Sequence, residues 1–327
     1  MLRYYKPPTP NFETIDRKWL SIYESGAYTK GSYANELAVR IAERTGYEYA
    51  IPTGSGTEAI FLLARWYWKQ GYRKIRVPAF TWCSTYKPFD WLGYKIRFVD
   101  IDRETWLADF GTVKVEIDEL AIPVDTFGNI YSHSTDDIGG AFKFIDSAQS
   151  LGAMYSDKEC DRIVSLSGSK IITSGEGGIL LTQDKDLHGF AWQCNWFSRM
   201  PELSAALGLA YFEKLDEILE KKARIAQMYR EHFPKLEWQK IPISTNNYIV
   251  AALVDSPREW QRANPDVEYR FYYDSMVNEE DELVPFEATQ SQHALTLPNT
   301  EYVSRHIIAF PSWPDMDLSV IEKMAEP

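Results

Sequence analysis

Lys170 stands where a reactive amine would be useful. It follows the apolar stretch 163–166 and precedes the turn Thr173-Ser174-Gly175-Glu176-Gly177-Gly178, which leads straight into Ile179-Leu180-Leu181. A lysine packed between two buried strands has its rotamer fixed and its pKa lowered, the conditions under which an amine condenses with a carbonyl cofactor. The plainer alternative is a surface lysine on a hairpin turn. Upstream, Phe142-Lys143-Phe144-Ile145-Asp146 reads as a short buried strand ending in a carboxylate, and ligands of open α/β sheets collect at the ends of strands. An aspartate there can keep the ring nitrogen of pyridoxal phosphate protonated, because a partly buried anion stabilises the charged form on which the ring's electron-sink behaviour depends. A helix N-cap would suit Asp146 equally. Further upstream, Pro52-Thr53-Gly54-Ser55-Gly56-Thr57 precedes the apolar run 59–64. Glycines and hydroxyls at a helix start expose backbone N–H groups and the positive end of the helix dipole, which together make a phosphate site. No Gly-Lys-Ser/Thr follows, so this is not a Walker loop.

The elements that must position these residues follow from the apolar pattern. Runs at 74–80, 96–101, 120–124, 142–145, 163–166 and 178–181 alternate with helical stretches. That alternation predicts an α/β fold with a mainly parallel central sheet and helices on both faces. From 201 to 233 the period becomes helical, with Leu203, Ala206, Leu207, Ala210, Tyr211, Leu215, Ile218 and Leu219 on one broad face. Glu213, Lys214, Glu217, Glu220, Lys221 and Lys222 form the opposite side, expected to be solvated. A boundary near Arg230 divides the chain into a large domain, 1–230, and a small C-terminal α+β domain, 231–327, which closes in a helix over 317–324. The stretch 269–298 is rich in aromatic and acidic residues and poor in pattern; it reads as an irregular surface loop with packed tyrosines or as a lid over a substrate.

Composition limits the alternatives. A chain of 327 residues with 45% hydrophobic content can bury a substantial core. A net charge of −12 with no basic run argues against general nucleic-acid binding. Cys83, Cys160 and Cys194 are few and odd in number, as expected of a reducing compartment, and they lack metal-ligand spacing. His133, His188, His232, His293 and His306 form no pair at helical spacing and do not cluster with cysteine, so no metal site is expected. The N-terminus lacks the apolar core of a signal peptide, and no run is long enough to span a membrane, so the expected location is cytoplasmic. Pro7-Pro8-Thr9-Pro10 reads as part of an extended arm.

Several segments, in a shared order, resemble the DegT-type (DegT/DnrJ/StrS) sugar aminotransferases, a branch of the fold-type I pyridoxal-phosphate enzymes. Ser25-Gly26 with Gly31 is similar to that family's N-terminal entry, Ser55-Gly56-Thr57 to its phosphate loop, and Val77-Pro78-Ala79-Phe80-Thr81-Trp82 to its strand-and-aromatic segment. Asp146-Ser147-Ala148-Gln149 resembles its Asp-Ala-Ala-Gln, Lys170 with 173–178 its Schiff-base lysine and glycine turn, and Arg199-Met200 its Arg-Met helix start. The resemblance covers most of the chain. It implies that Lys170 holds the cofactor and shuttles the proton, that Asp146 pairs with the ring nitrogen, and that Gln149 sits near the phenolic oxygen. It also implies that Trp82 stacks on the ring and that Ser55, Gly56, Thr57 and Ser165 cradle the phosphate. The implied reaction is transfer of an amino group, with glutamate as donor, to a keto group of a nucleotide-linked deoxysugar, by a homodimer. A sugar dehydratase or lyase on the same fold and a non-catalytic relative are the alternatives; the related group that removes a 3-hydroxyl carries histidine where this chain has Lys170.

The chain departs from the family pattern in three places. Asp125 replaces the usual histidine in Pro123-Val124-Asp125-Thr126-Phe127-Gly128. Phe197 stands two residues before Arg199-Met200, where the family often has an asparagine given to the neighbouring subunit's phosphate; Asn195 or Ser198 could substitute. The stretches 109–121 and 128–142 are shorter than usual.

Overall fold

The short strands and intervening helices assemble into two sheets, described by a computed structural model for residues 1–116, 118–131, 142–155, 158–273 and 297–327. Helices α1 (Phe12–Ser25) and α2 (Tyr33–Thr45) come first, each stopped by a left-handed glycine, Gly26 at φ 68° and Gly46 at φ 78°. They are followed by β1 (Tyr49–Thr53), α3 (Gly56–Lys69), β2 (Lys74–Pro78), α4 (Lys87–Trp91), β3 (Lys95–Val99) and β4 (Glu119–Ala121). Then come β5 (Phe144–Asp146), β6 (Asp161–Ser165) and β7 (Gly178–Thr182).

β2 pairs in parallel with β3 and β4, and β5 with β6, while β7 runs antiparallel to both β6 and β1. Parallel bridges from Ala121 to Phe142 and from Val124 to Asp146 join β4 to β5. The seven strands thus form one layer in the order β3-β2-β4-β5-β6-β7-β1, and of these β7 alone is reversed. Period-two alternation sends neighbouring residues of β7 to opposite faces. Leu180 packs with Ala59, Leu62 and Leu63 of α3, whereas Ile179 and Leu181 pack with Leu37 and Ile41 of α2. Every residue of β6 and β7 is buried, as a sheet covered on both faces requires.

Helices α5 (Lys185–Cys194), α6 (Glu202–Phe212) and α7 (Leu215–His232) lead out of this layer. Leu215 and Ile218 of α7 pack in the large core, and Ile225, Ala226 and Tyr229 pack in a second core around Phe310. That second core sits on the antiparallel strands β8 (Glu237–Trp238), β9 (Val250–Leu253) and β10 (Ile307–Phe310), and is flanked by α8 (Pro257–Ala263). The N-terminal arm lies on this C-terminal unit, with Leu2 bridging Val267 and Tyr4 Oη 3.1 Å from Tyr272 Oη.

Three expectations are corrected. The helical stretch breaks at Glu213-Lys214, and Leu203, assigned to the apolar face, is exposed because α6 turns a different side to the core from α7. Lys222, assigned to the solvated side, is only 5% exposed, since α7 passes beneath the C-terminal unit. The closing helix covers Ser319–Glu322 rather than 317–324. Of the stretch read as a loop or lid, residues 274–296 lie outside the described residues, as do His133 and His293; Tyr272 and Tyr273 pack against Phe127. Among the described residues no helix is long and apolar enough to cross a membrane.

Candidate active site

The strand ends of the large sheet open on a cavity of about 280 Å³ whose lining includes Ser55, Gly56, Thr57, Trp82, Asp146, Gln149, Ser165 and Lys170. All eight residues singled out from the sequence therefore meet in one place.

At one part of the cavity the start of α3 is exposed. Ser55 caps the helix, its Oγ accepting from the Glu58 amide at 3.2 Å. The amides of Gly56 and Thr57 fall in the first turn, where no preceding helical carbonyl exists to accept from them. Thr57 Oγ1 donates to Ser84 Oγ at 2.9 Å, so a further hydroxyl joins the group. A Cβ on Gly56 would meet Ser165 Cβ at 3.1 Å, and one on Gly178 would lie 2.5 Å from the Ser55 backbone. The glycines of the two segments thus let β7 and the loop before α3 touch backbone to backbone.

Asp146 ends β5, buried, and its carboxylate is held on both oxygens. Thr85 Oγ1 donates to Oδ2 at 2.7 Å, with Thr81 Oγ1 2.8 Å behind it, and the Ala148 amide donates to Oδ1 at 3.0 Å. No helix follows, so the Ala148 bond closes an Asx turn rather than a helix cap. Burial pushes the Asp146 carboxyl up, while the Thr85 hydroxyl, the Ala148 amide and the Lys170 ammonium pull against it. Gln149 Oε1 accepts from the Phe127 amide at 2.6 Å, which leaves the carboxamide N–H groups as its donors. Trp82 is 53% exposed at the rim.

Lys170 sits in the turn between β6 and β7, partly buried, with its Nζ 5.0 Å from the centre of the Tyr248 ring. It also borders a second pocket of about 310 Å³, lined among others by Tyr4, Lys222, Tyr248 and Arg270. Thr81, Ser84, Thr85 and Tyr248 were not singled out from the sequence. The hydroxyl-rich run Thr81-Trp82-Cys83-Ser84-Thr85 after a strand was a readable signal for the first three; Tyr248 had none.

The cavity thus combines exposed helix-start amides and hydroxyls, a buried carboxylate and a lysine. That set of donors and acceptors fits a phosphorylated pyridine aldehyde: anion-binding groups, a partner for a pyridinium nitrogen, and an amine for the carbonyl. Both residues considered as substitutes for the family's asparagine make hydrogen bonds within their own chain. Asn195 is buried and donates to the Pro52 carbonyl at 2.7 Å, while Ser198 Oγ donates to Glu58 Oε2 at 2.6 Å. Phe197 packs edge-on against Phe61 and Trp196.

The chain is similar to several known proteins. A GDP-perosamine synthase of Escherichia coli O157:H7 is 26% identical over 253 aligned positions, gaps included, which cover 68% of this chain and 67% of that protein. A UDP-4-amino-4-deoxy-L-arabinose–oxoglutarate aminotransferase of Shewanella sediminis is 25% identical over 360 aligned positions, gaps included, which cover 93% of this chain and 91% of that one. The crystal structure of a DegT DnrJ EryC1 StrS aminotransferase from Brucella abortus superposes with a TM-score of 0.84 at 19% identity, over 96% of this chain and 94% of that one, and shares the fold. Residues 12–326 match the profile of the DegT/DnrJ/EryC1/StrS aminotransferase family, to which this chain belongs as a pyridoxal-phosphate enzyme.

Proposed function

We propose that the protein transfers an amino group from glutamate to the keto carbon of a nucleotide-linked deoxysugar, working as a homodimer. The observation that carries this reading is the convergence of Lys170, buried Asp146 and the exposed start of α3 on one cavity. The relatives' names supply the substrate class. Exposed Trp19, Tyr23, Trp192 and Trp196 offer apolar surface to a second copy.

Bound here, pyridoxal phosphate supplies an electron sink for the pair released when a proton leaves the donor's α-carbon. The amides of Gly56 and Thr57, with Ser55, Ser84 and Ser165, hold the phosphate. Asp146 keeps the ring nitrogen protonated, Gln149 donates toward the phenolic oxygen, and Trp82 covers the ring and limits its tilt. Lys170 would hold the cofactor's carbonyl carbon through its Nζ, and the same Nζ, when free, would take the proton from the donor's α-carbon and, in the second half-reaction, deliver one to the sugar carbon. One amine at one position serves both halves.

The test is to incubate the holoenzyme with glutamate and a panel of nucleotide-linked keto-deoxysugars and to weigh the products. Replacement of the carbonyl oxygen by an amino group and hydrogen, with 2-oxoglutarate formed in equal amount, is expected. Loss of a hydroxyl without gain of nitrogen would instead establish the dehydratase reading, which Lys170 in place of histidine disfavours.

A further inference from the structure

Behind Asp146, on the reverse side of the strand ends, lies a charged pair that the cofactor reading does not use. Asp125 and Arg162 are both fully buried, with Arg162 Nη1 2.9 Å from Asp125 Oδ2. The same oxygen accepts from Ser147 Oγ and Ser150 Oγ, each at 2.7 Å, and Oδ1 accepts from the Tyr131 amide at 2.9 Å. Arg162 Nη1 also donates to Ser147 Oγ at 2.7 Å, and its guanidinium lies 4.4 Å from the centre of the Tyr155 ring. The backbone completes the link: the Asp125 amide donates to the Asp146 carbonyl, and the Asp146 amide to the Pro123 carbonyl, each at 2.9 Å.

Two consequences follow. Asp125 grips the turn that carries Asp146 at Ser147 and at Ser150, so the positions of the Ala148 amide and of Gln149 depend on it. Its negative charge also acts on a carboxylate that must be charged to hold a pyridinium, and like charges oppose ionisation. Arg162 cancels that charge. Because a buried ion pair gives little net stability against an apolar alternative, its presence at this spot suggests a role beyond folding. We propose that Asp125 and Arg162 are positioning residues that together fix the Asp146 turn and keep the local charge neutral, so that Asp146 meets the cofactor's ring nitrogen as a carboxylate.

Other titratable groups share this field among the described residues. Lys170, Tyr273 and Asp125 face Asp146, and Tyr47, Tyr155 and Cys160 face Arg162. The inference rests on the proposed role of Asp146. Its test is retention of pyridoxal phosphate by the full chain, followed by the visible band of the lysine-bound cofactor across a pH series, with circular dichroism as the check on folding. Arg162→Met leaves Asp125 uncompensated and should move the acid midpoint of cofactor loss up by about one pH unit, roughly tenfold weaker retention on the acid limb. Asp125→Asn keeps an oxygen that can accept from Ser147 and Ser150 but removes the negative charge facing Arg162 Nη1, and should move the midpoint down by a similar amount. The double variant should return toward the wild-type midpoint, which a merely structural role would not produce. If the methionine variant does not fold, Asp125→Asn decides alone: a downward shift supports the inference, and an unchanged or raised midpoint overturns it. Single variants that shift in the same direction also overturn it. A wild-type protein that never develops the band would instead sink the cofactor site itself.

Discussion

Lys170 gains its chemistry from what surrounds it: an aromatic ring under its Nζ, a buried carboxylate in its field, and a glycine turn that lets β7 approach the start of α3. Replacing it with alanine removes both the attachment point and the proton carrier. Lys170→Ala should therefore abolish the visible band of bound cofactor and lower transamination at least about a hundredfold, the lower range for a lost general acid/base. A variant that keeps the band would place the reactive lysine elsewhere. At this scale the sequence was legible where one residue sits inside a distinctive local run, as Lys170 and Asp146 do. It was silent where partners are distant: Thr85 meets Asp146 from 61 residues away, and Arg162 meets Asp125 from 37. Sequence spacing carries no record of such encounters, since they arise only when the strands are laid side by side.

Among the elements, apolar runs announced β2 to β7 because strands buried on both faces are continuously hydrophobic. β1 escaped notice for a physical reason: it contains Pro52, which is tolerated because β1 is the edge strand beside β7. The reversed direction of β7 was equally invisible, since an apolar run has no polarity. Periodicity failed at Lys222, which belongs to the charged stripe of α7 yet lies under the C-terminal unit. Its Nζ donates to the Tyr248 carbonyl at 2.8 Å, the Ser312 carbonyl at 2.7 Å and Ser312 Oγ at 2.8 Å. Burial pulls its pKa down to about 7, against three acceptors that favour the ammonium. Lys222→Met would leave those oxygens without their donor, and the expected loss is about 2–4 kcal/mol, measured by denaturant unfolding. A loss within about 0.5 kcal/mol, the usual range for surface changes, would show that the lysine is not a structural tie.

For the whole molecule, Lys170 lies between two cavities, one bordered by the start of α3 and the other by the N-terminal arm and the C-terminal unit. Asn195 and Ser198 each already donate a hydrogen bond within their own chain. The exposed aromatic surface of Trp19, Tyr23, Trp192 and Trp196 is where dimerisation would rest. Sedimentation should give about twice the 37.8 kDa chain mass, and a fully active monomer would refute the homodimer. The central claim is that this cavity turns a lysine-bound cofactor into an amino carrier at glutamate's expense. The most direct measurement is the near-ultraviolet and visible absorption of the purified protein with pyridoxal phosphate, before and after glutamate is added in the absence of any sugar. The predicted result is a visible band that glutamate bleaches to the pyridoxamine form, with 2-oxoglutarate released; a band that glutamate leaves unchanged, or no band at all, would contradict it.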